Sequence, residues 1–157
     1  MAVKPIPEGL RTLTPALYVD GALDCIEFLK KAFGAEEKSR AMDPTGKKVW
    51  HAQLHIGDSA LFISDADPQM GGPASFARIW VYSDNVDAGF KRAVAAGATA
   101  IMPPADMFWG DRMCALKDKW NNQWSLAQHI KDMTPQEMQK AQDEFVAQMA
   151  KQPQKKP

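Results

Sequence analysis

The chain has 157 residues, enough for one domain or for two small halves that share a hydrophobic core. Its 19 lysines and arginines balance its 19 aspartates and glutamates, so the formal net charge is zero. A neutral chain without a basic stripe argues against nucleic acid as a partner, and no apolar run approaches the roughly 20 residues that span a membrane.

The first predicted elements are a strand, a helix and a second strand. Residues 13–19 alternate imperfectly between apolar and polar side chains, as a half-buried strand does. Residues 24–33 have the apolar spacing of an amphipathic helix, and a short strand is predicted at residues 36–40.

A β-hairpin is predicted at residues 49–64. Apolar and polar side chains alternate before Gly57 and Asp58, which suit a two-residue turn with glycine first. This turn pairs Gln53 with Phe62 and gives the hairpin two different faces. The apolar face carries Trp50, Ala52, Leu54, Ile56, Leu61 and Ile63. The other face carries His51, Gln53, His55 and Phe62.

The second half of the chain repeats this order of elements. A loop rich in Pro and Gly, residues 65–75, is predicted to join the halves. Pro103 and Pro104 are expected to stop the strand that precedes them. The predicted elements are a strand at 77–82, a helix at 86–96, a strand at 99–102, an aromatic loop at 106–110, and strands at 112–116 and 123–127.

A last helix is predicted at residues 134–150, outside the repeat. Thr134 and Glu137 form a capping box, with Pro135 at the first helical position. An apolar stripe follows, formed by Met138, Ala141, Phe145, Val146 and Met149. This helix either covers an exposed sheet edge or packs on a second subunit.

Two stretches of similar sequence suggest one domain built from two related halves. Residues 17–35 and 79–98 each contain an apolar strand, an Asp near a helix start and a closing Gly-Ala pair. The offset of about sixty residues is longer than solenoid repeats. The prediction is an α+β fold in one domain, with a first module at residues 10–68 and a second at 76–130.

The cysteines and the first residues indicate a cytoplasmic protein. Cys25 and Cys114 are too few for a disulfide framework, and neither has the spacing of a redox or zinc motif. Residues 1–11 contain no apolar segment typical of a signal peptide. Free thiols in a reducing compartment are the simplest expectation.

Five phrases in order resemble the vicinal-oxygen-chelate superfamily, the group of glyoxalases, bleomycin-resistance proteins and extradiol dioxygenases. They are LTPALYV with DGALDCIEFLKKAFGA, HAQLHIGDSALFISD, NVDAGFKRAVAAGATAIMPP, FWGDR and KDKWNNQWSLAQH. Within it the chain resembles the PhnB-like branch, and the resemblance covers residues 10–133. It implies two tandem βαβββ modules whose sheets curl around a shared cavity, and it implies a homodimer.

The resemblance also implies where a metal would bind. Metal-dependent members carry four ligands, usually a His on the first strand and a Glu on the last strand of each module. The matching positions in this chain hold Thr14, Phe62, Arg78 and Ser125. None of these is a good ligand, and the Arg78 guanidinium would repel a divalent cation. His51 and His55 lie about 13 Å apart along one strand, too far for one ion. We therefore expect no metal and no cofactor.

Period-two geometry extends the implied cavity to further side chains. An arginine, aromatic rings and neutral polar groups would suit a small ligand with an anionic end and a flat or apolar body. The candidate ligand-binding residues are Thr14, His51, Gln53, Phe62, Arg78, Trp80, Trp109, Arg112 and Ser125.

Simpler roles compete with ligand binding for several of these residues. Arg78 could pair with a nearby carboxylate, and His51 could be a structural histidine. Residues 109–112 could lock a loop by packing and an Asp–Arg contact, or could rim the cavity with Trp109 stacked on a ligand. Of these two roles, the structural lock is the favoured interpretation for residues 109–112.

Three functions remain open from the sequence. The first is a metal-free protein that binds a small organic molecule between its modules. The second is a metal-dependent lyase, isomerase or dioxygenase that uses His51, His129 or Gln53 in place of the lost ligands. The third is a dimeric interaction protein whose cavity is filled by its own side chains. No nucleophile motif or phosphate-binding loop appears.

Overall fold

The chain folds as two βαβββ modules followed by a helix, which confirms the predicted α+β fold. The structure, a computed structural model, describes residues 4–69 and 72–151. Met70 and Gly71, in the predicted join between the modules, lie outside the described residues. The first module contains β1 (Ala16–Val19), α1 (Ala22–Phe33), β2 (Glu36–Met42), β3 (Val49–Ile56) and β4 (Ser59–Asp65). The second contains β5 (Arg78–Tyr82), α2 (Val86–Ala95), β6 (Thr99–Asp106), β7 (Asp111–Lys117) and β8 (Gln123–His129), and α3 (Pro135–Lys151) follows.

Each module has a four-stranded sheet of the same topology. The strand orders are β1-β4-β3-β2 and β5-β8-β7-β6, with the first strand of each module parallel to its last. The predicted hairpin register is confirmed, because Gln53 lies opposite Phe62 and His55 opposite Ala60. The side chains of these four residues therefore share one face of the first sheet.

The hydrophobic core lies between the sheets and the helices and runs through both modules. Leu17, Leu29 and Trp124 are almost completely buried in it. The contact between the modules is made mainly by α1 and α2, and the ring of Phe33 in α1 lies 4.7 Å from that of Trp124 in β8. Each sheet thus has one face covered by helices and an opposite face, here called its open face.

Two prolines lie inside a strand where the sequence predicts a stop. The expectation that Pro103 and Pro104 end the strand at Met102 is wrong, because β6 continues to Asp106. β6 is an edge strand, and its pairing with β7 shifts register between Met102 and Ala105. An edge strand tolerates proline because the missing N–H groups are not all needed for pairing.

The pairing of β2 with β3 also moves Trp50 off the apolar face. A register shift between Ala41 and Met42 places Met42 opposite Val49. Val49 is fully buried, whereas Trp50 is 48% exposed. A β-bulge of this kind turns one side chain out of the two-residue alternation, so the predicted position of Trp50 is wrong.

The two module helices begin in different ways. The residue before α1 is Gly21, which has a left-handed conformation and no side-chain cap. The Asp65 carboxylate, at the end of β4, accepts hydrogen bonds from the N–H groups of Gly21 and Ala22 and, through its other oxygen, from that of Val49. α2 is capped locally, because the Asn85 side chain accepts from the N–H of Ala88.

A buried carboxylate organises the turn between β7 and β8. One oxygen of Asp118 accepts from the main-chain N–H groups of Trp120 and Asn122, and the other from Asn122 Nδ2 and Trp124 Nε1. Asp118 is 3% exposed and Asn122 is completely buried. The polar residues Asp118 and Asn122 of the KDKWNNQW phrase therefore stabilise this turn.

α3 follows the second module, and none of its residues is buried. Its predicted capping box is present, since Thr134 N–H donates to Glu137 and the Glu137 N–H donates to Thr134 Oγ1. The Phe145 ring lies 5.0 Å from that of Phe108 in the aromatic loop. Among the described residues, no helix is both long and apolar enough to cross a membrane.

Both cysteine thiols are expected to be unreactive in the folded protein. Cys25 and Cys114 are free and buried. Burial raises the pKa of Cys25 to about 12 and also raises the pKa of Cys114, which leaves little thiolate at neutral pH.

An aromatic disulfide that reacts with free thiols should modify neither cysteine of the native protein at pH 8, and should modify both after the protein is unfolded in urea. Rapid modification of either thiol in native protein would contradict this prediction.

Candidate functional site

A groove between the two modules is the largest of the cavities described here. It has a volume of about 590 Å³ and runs between the segment before β1, the β3–β4 turn and β5. β5 is the edge strand of the second sheet, so one side of the groove is an exposed sheet edge. The groove is lined by Arg11, residues 13–15, residues 56–61, residues 79–82 and Trp124.

The open face of the second sheet brings together three of the predicted residues. Arg78 lies opposite Gln123, and Trp80, two residues further along β5, lies opposite Ser125. Trp80 is 46% exposed, and its ring lies 6.3 Å from that of Tyr82. The face therefore presents a guanidinium, an indole and a hydroxyl next to one another.

Arg78 lacks the carboxylate partner that the simpler reading requires. Its side chain is exposed and makes no ion pair or hydrogen bond with residues 4–69 or 72–151. By contrast, Arg40 in the first module is paired with Glu37. Arg78 is therefore available to an anion from outside the protomer.

The open face of the first sheet brings together His51, Gln53 and Phe62. The His51 ring meets the Phe62 ring edge-on, with 4.6 Å between centroids. The Gln53 amide nitrogen lies 3.0 Å from His55 Nε2. This face is half aromatic and half polar, as the alternation predicts.

The structure places the predicted residues in several parts of the protomer. Of the nine, Thr14 and Trp80 line the groove between the modules. The others lie on the two open faces or around the aromatic loop. The position of Thr14 precedes β1, and its hydroxyl donates to the carbonyl of Arg11.

Arg112 is held on the helix side of the second sheet. Its guanidinium donates twice to Asp87 in α2, at 2.7 and 2.8 Å, and once to Asp106 at 2.8 Å. These ion pairs raise the pKa of Arg112 and lower that of Asp87. A ligand anion at Arg112 would have to displace two carboxylates, so its contacts favour a structural role.

Asp111 is the centre of a polar network that the sequence does not reveal. One oxygen of its buried carboxylate accepts from Tyr82 Oη at 3.1 Å and Trp109 Nε1 at 3.2 Å. The other oxygen lies 2.9 Å from His129 Nδ1. The loop lock is therefore made by Asp111 with Trp109, Tyr82 and His129, and Arg112 has different partners.

The inherited metal positions do not fit a metal ion. Thr14, Phe62, Arg78 and Ser125 offer two hydroxyls, a ring and a cation, which is not a donor set for a divalent ion. In the part of the chain that the structure describes, no three side chains of His, Cys, Asp or Glu are arranged to hold an ion.

The fold and these open faces define the class of proteins built from paired βαβββ modules. Residues 12–126 match the family model described as the Glyoxalase/Bleomycin resistance protein/Dioxygenase superfamily, so the match extends from the first module into the last strand of the second and excludes α3. The chain belongs to this superfamily.

The chain is also similar to a relative of known sequence and to solved structures of the same fold. An uncharacterized protein of Mycobacterium tuberculosis is 37% identical over 138 residues, which cover 82% of this chain and 81% of the relative. The crystal structure of TioX from Micromonospora sp. ML1 is 25% identical, with a TM-score of 0.62 over 75% of this chain and 96% of its own. TnmS3, an antibiotic binding protein from Streptomyces sp. CB03234, is 21% identical, with a TM-score of 0.58 over 82% and 98%.

Proposed function

We propose that the protein binds a small organic molecule, with an anionic group and a flat aromatic or apolar body, without a metal ion. The observation that carries the proposal is the unpaired Arg78 guanidinium beside the exposed indole of Trp80. Arginine can bind a carboxylate or phosphonate through two parallel hydrogen bonds, and an exposed indole offers a surface for stacking.

The surroundings of Arg78 and Trp80 support the size and chemistry of this ligand. The neighbouring groove, at about 590 Å³, is in the usual range of small-molecule sites. Ser125 and Gln123 supply neutral hydrogen-bonding groups on the same face. On the first sheet, His51 and Phe62 supply a second aromatic surface. TnmS3 supports the analogy at the level of fold, since its own name describes it as an antibiotic binding protein.

The donor set supports binding without a metal. A divalent cation needs three or four converging His or carboxylate ligands, and the inherited positions supply hydroxyls, a ring and a guanidinium. The lyase, isomerase and dioxygenase reactions of the superfamily that require a metal are therefore disfavoured for this chain.

We further propose a cytoplasmic homodimer of the PhnB-like branch. Large apolar side chains remain exposed on one protomer, among them Leu13 at 86%, Tyr82 at 64% and Phe145 at 43%. A second copy would cover such surfaces, and patches of this kind are typical of protein interfaces. Light scattering coupled to size exclusion should give twice the monomer mass, and a monomer at micromolar concentration would contradict the dimer.

The test of ligand binding is a thermal-shift screen with paired compounds. Aromatic carboxylates and phosphonates should raise the melting temperature, and their uncharged amides or esters should raise it much less. Arg78→Gln should abolish the difference between acid and amide. Arg92→Gln, on the exposed surface of α2, is the matched control and should keep it. A screen in which no anionic aromatic compound stabilises the protein, or equal shifts for both variants, would refute the proposal.

A further inference from the structure

His129 connects the end of the second sheet to the segment that leads into α3. It is the last residue of β8, and its Nδ1 lies 2.9 Å from the buried Asp111 carboxylate in β7. Its Nε2 lies 3.0 Å from Asp132, which is fully exposed and lies outside any strand or helix. One imidazole ring therefore joins a buried carboxylate to a fully exposed one.

The titratable groups around His129 come from β5 and β7 and from the segments that follow β5 and β8. Asp111 belongs to β7, the Tyr82 hydroxyl to β5, and Asp132 with Lys131 to the segment after β8. Asp84, which follows β5, shares with His129 the lining of a pocket of about 380 Å³. Hydrogen bonds to Asp111 and then to Asp132 raise the pKa of His129 above its usual value, and the imidazole is half exposed.

Deprotonation of the ring breaks one of its two hydrogen bonds and keeps the other. The imidazolium donates from both nitrogens, but neutral imidazole donates from one. We assign the remaining proton to Nδ1, because Asp111 is buried and already accepts hydrogen bonds from Tyr82 and Trp109. Nε2 then presents a lone pair to the Asp132 oxygen, and the two groups repel each other.

We propose that His129 is a pH-dependent clip that fastens the segment leading into α3 to the end of the second sheet. The part that is released starts at Asp132, because the N–H groups of Ile130 and Lys131 both donate to the Gly110 carbonyl in either protonation state. Beyond that point the ring of Phe145 in α3 lies against that of Phe108, and none of the residues of α3 is buried. Opening the clip loosens α3 from the aromatic loop.

The direction of the pH dependence follows from the two states. The pKa of His129 is higher when the clip is closed, so protonation stabilises the closed state. The clip is closed below the ordinary histidine pKa of about 6.5 and opens as the pH rises through the raised value. Each pKa unit that separates the two states changes the opening equilibrium about tenfold.

Hydrogen exchange across this pH range tests the clip. Amide exchange in α3, corrected for the intrinsic pH dependence of exchange, should be slower at pH 5.5 than at pH 8.5. Asp132→Asn should abolish this difference and lower the pKa of His129 in an NMR titration. The substituted position is exposed and has no role in the core, so the variant is expected to fold.

Asp143→Asn is the matched control, because it removes an exposed carboxylate of α3 whose partner is Gln139. It should leave both the exchange difference and the His129 titration as in the unsubstituted protein. Equal protection of α3 at the two pH values, or an unchanged His129 pKa in Asp132→Asn, would overturn the proposal.

Discussion

Replacing Gly110 by alanine should lower the free energy of unfolding by about 3 kcal/mol. Gly110 has a φ of 93°, and a Cβ on it would lie 2.2 Å from the Lys131 carbonyl oxygen. The N–H groups of Ile130 and Lys131 both donate to the Gly110 carbonyl. The Lys131 carbonyl therefore cannot move away from Gly110 without breaking these hydrogen bonds. Urea unfolding monitored by circular dichroism measures the loss.

Gly97→Ala separates the clash from the backbone conformation. Gly97 has a φ of 108°, also in the left-handed region, but a Cβ there would meet nothing within 4 Å. The Gly97 variant should lose about 1 kcal/mol from backbone strain alone. Equal losses for the two variants would show that the contact with Lys131 contributes nothing.

The second large effect is expected from Asp118→Ala, at about 3 kcal/mol of unfolding free energy. The substitution leaves four N–H donors without their acceptor, and the hydrogen bonds of three of them are buried, including that of the Trp124 indole in the core. Buried donors that lose their partner have no water to replace it. The Trp124 indole signal in an NMR spectrum should also shift, since its hydrogen bond is lost.

Asp43→Ala is the corresponding control in an exposed turn. Asp43 accepts from the N–H groups of Lys47 and Lys48 and from the Thr45 hydroxyl, and these contacts lower its pKa to about 2. Water can replace the carboxylate there, so the loss of stability should be much smaller. An equal loss at both positions would mean that burial does not decide the cost.

The fold could be predicted because its determinants are local. The Gly57-Asp58 turn fixes the hairpin register, and the repeated strand and helix patterns reveal the two modules. The errors arise where a neighbouring strand decides the outcome. Pro103 and Pro104 fit β6 because it has a partner on one side only, and Trp50 leaves the apolar face because β2 shifts register.

The candidate site could be predicted only in part. Alternation correctly places His51, Gln53 and Phe62 on one face and Arg78, Trp80 and Ser125 on another. It gives no information on how far apart the two faces lie, which depends on the packing of α1 against α2. The Asp111 network was missed because Tyr82, Asp111 and His129 lie far apart in sequence, although FWGDR signals an important loop.

The position of Asp65 has a consequence for the order of folding. α1 takes its N-terminal acceptor from a residue more than forty positions later, at the end of β4. A short helix without a local cap is only marginally stable in water. We therefore expect α1 to form only after the chain has been synthesised as far as β4. α2 carries its own acceptor in Asn85 and can begin on its own. During synthesis α1 is therefore expected to stay unfolded until β4 has emerged. A ribosome-bound fragment that ends before β4 should show little helical structure in the α1 segment.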